Sequence, residues 1–204
     1  MEWVYTDELV DYEVAEKAMK DRVSAIQSHQ KDEMIWGLQH PPSFTAGTSA
    51  QADDLLDNLG FPVYQVGRGG KFTYHGPGQL VVYVMINLEK HELNIRQYVE
   101  TLEKWLIDCL RQFDIKAERH NNRIGIWVRN SNDNDEKIAA LGVRVTKGIT
   151  WYGMSLNISP DLTHFRGIIP CGLVGFGVTS MVRVGKKAQL KEVFEALKKV
   201  CPFK

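Results

Sequence analysis

A seven-residue apolar run at 80–86, set inside QLVVYVMINL (79–88), limits what this chain can fold into more than any other feature. It is far too short to span a bilayer, which takes ~20 apolar residues in a helix. Its β-branched residues come without polar alternation, and that fits a central strand buried on both faces. Around it lie three amphipathic stretches. Ile95, Tyr98, Val99, Leu102, Trp105, Leu106, Cys109, Leu110 and Phe113 keep helical spacing over 94–113. Leu190, Val193, Phe194, Leu197 and Val200 do so over 187–200, and Leu9, Tyr12, Met19, Val23 and Ile26 over 7–29.

Further strands are expected at 33–38, ended by His40-Pro41-Pro42, at 62–66, and at 71–75 as a partner of 62–66 across the glycines at 67, 69 and 70. Strands at 123–128, 137–145 and 149–158, the last two joined by Thr146-Lys147-Gly148, read as a β-meander, and 178–184 as one more strand. Residues 159–176 read as irregular. The pattern describes one α/β (α+β) domain over 1–204 with a mostly antiparallel or mixed sheet.

Composition narrows the function classes. With 44% hydrophobic and 25% charged residues among 204, the chain can bury a real core. Its 25 Lys+Arg balance 25 Asp+Glu, which argues against a general nucleic-acid binder. Asp7, Glu8, Asp11 and Glu13 near the start leave no basic, apolar leader, so a cytoplasmic protein is expected, without a membrane partner. Three cysteines without a CxxC, and histidines scattered at 29, 40, 91, 120 and 164, speak against a disulfide framework and against a metal site.

Three stretches carry chemistry. Arg68-Gly69-Gly70-Lys71-Phe72-Thr73-Tyr74-His75-Gly76-Pro77-Gly78-Gln79 gathers four glycines, two cations and a histidine. It is neither a Walker A loop nor a GxGxxG. Its glycines would let backbone N–H groups approach a ligand, or else simply form tight hairpin turns. Cys171, between Pro170 and Gly172 in an irregular segment, is either a reactive thiol or a small buried hydrophobe. Lys137 opens a strand with a small-residue patch, Ala139-Ala140-Leu141-Gly142, and by itself reads as an ordinary edge lysine.

Taken in order, RGGKFTYHGPGQLVVY (68–83), KIAALGVRV (137–145) and GIIPCGL (167–173) resemble the lipoyl(octanoyl) transferase family of lipoate biosynthesis. HPPSFTAGT (40–48) and WYGMSLNI (151–158) extend the likeness over nearly the whole chain. The resemblance implies the fold of the lipoate and biotin protein ligase catalytic domain, a central mixed β-sheet flanked by helices with a small accessory sheet. It implies transfer of an octanoyl group from octanoyl-acyl carrier protein, through a cysteine thioester, to the acceptor lysine of lipoyl domains in 2-oxoacid dehydrogenases and glycine cleavage H protein. Cys171 matches the nucleophile, and Lys137 the lysine that favours its thiolate and serves as acid or base. Arg68, Gly69, Gly70, Lys71, Phe72, Thr73, Tyr74 and His75, with Ala140, Leu141, Gly142, Gly153, Met154 and Ser155, match the segments that line the acyl site. No cofactor is implied, and a monomer is expected.

The chemistry accords with these residue types. A thioester is already activated, so thiol exchange followed by amine attack needs neither ATP nor metal. Backbone N–H groups from 140–142 or from the glycine-rich loop would serve the oxyanion, at ~3 kcal/mol per donor. Many family members carry His-Gly-Leu where this chain has Tyr152-Gly153-Met154, so deprotonation of the acceptor amine would fall to Lys137, His75 or solvent. Two rivals are an ATP-dependent lipoate or biotin protein ligase, which needs no cysteine, and a non-catalytic module that binds carrier proteins or lipoyl domains. Because those partners are acidic, Arg68, Lys71, Arg144, Lys147 and Arg166 are the expected basic landing patch.

Overall fold

The apolar run becomes β6 (Gln79–Met85), buried at every residue in the middle of an eight-stranded mixed sheet. The computed structural model of the chain describes residues 1–120, 123–169 and 176–203. Across the sheet the order is β1 (Glu2–Leu9), β2 (Met34–Gln39), β6, β10 (Ile149–Asn157), β9 (Asp135–Thr146), β8 (Arg123–Arg129) and β7 (Glu118–His120). The β1–β2 pair is parallel, as is the pairing of β11 (Gly177–Val178) with β9, and the remaining neighbours are antiparallel. Thus β8, β9 and β10 form the expected meander. Lys147 and Gly148, both at positive φ, make its β9–β10 turn.

α2 (Ile95–Arg111) and α3 (Leu190–Lys199) cover one face of this sheet, meeting Ile35, Val82, Val84, Met154 and Leu156. Asn94 and Gln97 exchange side-chain bonds with each other's backbone N–H and so cap α2. α1 (Tyr12–Gln27) covers the other face, over Trp36, Val81, Tyr83 and Trp151. A second sheet, ordered β4 (Val63–Gln65), β3 (Ser43–Ala46), β5 (Phe72–His75), packs its own core of Phe44, Tyr74, Phe165 and Ile168. Among the described residues no helix is long and apolar enough to cross a membrane.

Four expectations need correction. The helix expected over 7–29 starts only at Tyr12, because the aromatic and β-branched run from Trp3 to Thr6 pairs with β2 as a strand. The segments at 62–66 and 71–75 are not hairpin partners, since β3 lies between them. The strand expected over 178–184 stops at Val178; the Ser180 hydroxyl accepts the Arg183 N–H and the chain turns. Within 159–176, Leu162–Gly167 is a 3-10 helix.

Candidate functional site

The site begins where β9 outruns its neighbour. β8 pairs with β9 only as far as Ala139, and beyond it that edge of β9 has no strand partner among the described residues. The glycine-rich loop docks there instead, with the Gly69 N–H bonded to the Val143 carbonyl at 2.9 Å. Backbone polar groups alternate between the two edges of a strand. Leu141, two residues before Val143, therefore also turns its N–H toward the open edge.

Arg68 holds that loop from inside. It is 7% exposed and donates to the Thr45 carbonyl (2.9 Å) and hydroxyl (2.7 Å), and to the carbonyls of Gly69 and Lys71, both at 3.0 Å. The backbone N–H groups of Gly47, Thr48 and Ser49 bind the carbonyls of Lys71, Arg68 and Gly70. The loop is thus a bound structure between two sheets, which disposes of the hairpin alternative.

Together these elements enclose a cavity of about 380 Å³, a size usual for small-molecule sites. Arg68, Gly69, Gly70, Lys71, Phe72, Thr73 and His75 line it from one side, and Ala140, Leu141, Gly142, Gly153, Met154 and Ser155 from the other. Tyr74 lies elsewhere. Strand alternation turns its ring to the far side of β5, where its hydroxyl meets His164 Nδ1 at 2.8 Å. The wall also includes Tyr152, singled out in the sequence only as a departure from the family pattern, and residues not assigned to the site at all, above all Tyr12, Tyr83, Val99 and Ile124. The helical or strand periodicity of Tyr12, Tyr83 and Val99 hid them. A second cavity of about 440 Å³, beside His91, Trp105 and Phe203, contains none of the motif residues.

The imidazoles here are neutral. His75 Nδ1 is 2.7 Å from the Gln79 side-chain oxygen, and burial pushes its pKa down to about 3. His40 sits 2.6 Å from the Val10 carbonyl and 2.7 Å from the Tyr83 hydroxyl, with its pKa pushed down by burial to about 4. Since the carbonyl fixes Nδ1 as donor, Nε2 accepts from Tyr83. The Tyr152 hydroxyl donates to Glu16 on α1 at 2.7 Å, and burial raises its pKa.

Lys137 does not line the large cavity. It is 5% exposed and lines a small adjoining one, which shares Thr73, Ala140 and Ser155 with the first. Its Nζ donates to the Ile124 carbonyl at 3.0 Å and lies 4.9 Å from the centre of the Trp127 ring. Cys171 lies outside the described residues. The described chain ends at Ile169, whose N–H bonds to the Asp54 carbonyl, and Asp54 pairs with Lys71 of the cavity wall at 3.1 Å. It resumes at Phe176, whose ring packs on Trp127 before β11 runs beside Glu136 and Lys137.

The expected basic patch is altered. Arg68 is an interior group and Lys71 is ion-paired, which leaves Arg144, Lys147 and Arg166 exposed. Glu118, His120 and Asp135 come within 4.8 Å of one another, but Arg123 donates to Asp135 at 2.7 Å, making an ion-pair cluster.

Residues 11–201 match the family model of the lipoyl protein ligase A/B catalytic domain. The octanoyltransferase of Wolbachia pipientis wMel is 50% identical over 199 residues, covering 97% of this chain and 96% of that protein. That of Zymomonas mobilis subsp. mobilis is 48% identical over 203 residues, covering 100% and 94%. The structure of a bi-partite lipoate protein ligase and its E2 lipoyl domain from Thermoplasma acidophilum matches with a TM-score of 0.71 at 15% identity, over 98% of this chain and 81% of that one, a likeness of fold. The likeness in sequence runs the length of the chain, and by it the chain belongs to the octanoyltransferase family, enzymes built on the lipoyl protein ligase A/B catalytic domain.

Proposed function

We propose that the enzyme takes an octanoyl group from octanoyl-acyl carrier protein onto Cys171 and passes it to the acceptor lysine of lipoyl domains, those of 2-oxoacid dehydrogenases and glycine cleavage H protein. The observation that carries this reading is the placement of Lys137, a buried ammonium behind a wall of the acyl-sized cavity and beside the strand that follows the Cys171 segment. Burial pushes the thiol of Cys109 up to about 12 and also raises that of Cys201, so neither suits a nucleophile at neutral pH.

In the first step the Cys171 thiolate attacks the thioester carbonyl. The bond to the pantetheine sulfur breaks, and that sulfur leaves as a thiol with the proton of the Lys137 ammonium. In the second step the neutral amine of the acceptor lysine attacks the acyl-cysteine, the amide forms, the Cys171 thiolate departs, and the amine's proton returns to Lys137. The Leu141 N–H, turned toward the open edge of β9, is the donor that serves the oxyanion. Val81, Leu141, Val143 and Met154 supply apolar wall for the alkyl chain.

The test is incubation with octanoyl carrier protein and an apo lipoyl domain, without ATP, followed by intact-mass spectrometry. An octanoyl adduct on the enzyme, absent in Cys171→Ala, and an octanoylated domain are expected. Product that forms only when ATP and free octanoic acid are supplied would establish a ligase instead; binding without any transfer would establish a silent module.

A further inference from the structure

α2 holds one carboxylate inside its packed face, and the chemistry above does not use it. Glu103 is 5% exposed. Its Oε1 accepts the Gly125 N–H at 3.1 Å, and its Oε2 lies 3.6 Å from Arg119 Nη1. The other end of that same peptide unit, the Ile124 carbonyl, accepts Lys137 Nζ at 3.0 Å. A single peptide thus stands between a carboxylate and an ammonium. Its N–H faces the negative charge and its C=O the positive one, as its ~3.5 D dipole favours.

Gly125 makes the arrangement possible. It has φ +125°, and a Cβ there would lie 2.9 Å from both the Ala139 carbonyl oxygen and Lys137 Cε. Burial, and to a lesser degree the Glu100 carboxylate, raise the Glu103 pKa on balance, against the pull of the Gly125 N–H, Arg119 and Lys137.

We infer that Glu103 is a positioning residue for the Lys137 ammonium, acting through the Ile124–Gly125 peptide. Its importance for catalysis rests on the role given to Lys137 above. Without the carboxylate the buried Gly125 N–H has no acceptor, the peptide is free to turn, and Lys137 loses the carbonyl that holds it at the cavity wall.

Two readouts test this on the full chain, with folding checked by circular dichroism. The first is labelling of Lys137 by acetic anhydride, followed by peptide mass spectrometry; it should rise by about tenfold or more in Glu103→Ala as the amine is released. The second is the rate of octanoyl adduct formation on the enzyme, which should fall about 10- to 100-fold while KM for octanoyl carrier protein stays within about threefold. Glu103→Gln keeps an acceptor for the Gly125 N–H and should restore both readouts to within about threefold of the parent. If Glu103→Ala fails to fold, Glu103→Asp, shorter by a methylene, is read in its place with the same expected direction. Lys137 as protected in Glu103→Ala, or in Glu103→Asp where that replaces it, as in the parent overturns the inference, as does a folded Glu103→Gln that rescues nothing. Because labelling needs no octanoyl carrier protein, the two readings separate: Lys137 released with unchanged octanoyl transfer would remove its catalytic role and leave the positioning intact.

Discussion

Gly142 and Gly69 face each other across the joint between β9 and the glycine-rich loop, yet the structure demands glycine at one and not the other. A Cβ on Gly142 would lie 2.6 Å from Arg68 Cδ and 3.3 Å from the Gly69 carbonyl oxygen. Arg68 is buried and bonded to Thr45, Gly69 and Lys71, so it has nowhere to swing, and the loop must move with it. Overpacking of this kind costs about 1–3 kcal/mol. At the middle of that range, a chain of this length loses about 6 °C in Tm. A loop displaced by about 1 Å from the open edge should also lower the transfer rate about tenfold or more. A Cβ on Gly69, by contrast, meets only the Val143 carbonyl oxygen at 3.6 Å, an ordinary contact. Gly69→Ala should hold Tm within about 1–2 °C, or raise it slightly by restricting the unfolded chain. Thermal melts of both variants, with single-turnover transfer on each, make the comparison. Equal losses, or the greater loss in Gly69→Ala, would refute the argument that Arg68 is wedged against β9.

Stability should fall in mild acid. His40 and His75 are held by burial at about 4 and about 3, while in the unfolded chain each titrates near the ordinary imidazole value of 6.5. Between those values the unfolded state takes up protons that the folded state refuses. The stabilisation is therefore complete above pH 6.5 and is lost as pH falls toward 4, at up to ~1.4 kcal/mol per pH unit per histidine. Urea midpoints from pH 7 to 4.5 measure it; His75→Gln should flatten the slope, and a protein that grows more stable on acidification would contradict it. The second expectation concerns Cys109, which is fully buried, with its thiol pushed up to about 12. Native iodoacetamide treatment at neutral pH should leave it unlabelled in peptide mass maps, and labelling as fast as that of half-exposed Cys201 would contradict its placement.

What was legible in the sequence is what local periodicity encodes. The stripes of α2 and α3, the all-buried β6 and the β9–β10 turn each carry their signal within one element. β1 was hidden because it is a half-exposed edge strand, and its Leu9, 46% exposed, mimics the first turn of the helix that follows. β3 has four residues just past two prolines, and only its long-range pairing with β4 and β5 defines it. In the site, the contiguous motif residues that line the cavity were legible, Tyr74 being the one in 68–75 that does not. Tyr12, Tyr83 and Val99 were not, since core and cavity wall share one periodicity. Arg68 was misplaced for a different reason: an arginine reads as surface until a fold supplies enough acceptors to offset its burial. Glu103 was overlooked because the apolar stripe of α2 passes on either side of it.

Tyr152 shows how a departure from the family pattern is absorbed. Neighbouring residues of a regular strand point to opposite faces, but φ is +60° at Tyr152, and its ring stacks on that of Trp151 with centroids 4.7 Å apart. Both rings therefore face α1, and the Tyr152 hydroxyl donates to Glu16 there. A phenol committed to a carboxylate, with burial raising its pKa, is a poor base for an acceptor amine. His75 is pushed down to about 3 and is a weak base for the same proton. Of the groups weighed for that step, the neutral form of Lys137 is the protein base left, so on the proposed chemistry one amine serves both half-reactions. On that proposal it would enter the second already deprotonated, having given its proton to the leaving thiolate in the first. Tyr152 then contributes by fastening α1 over the cavity rather than by moving a proton.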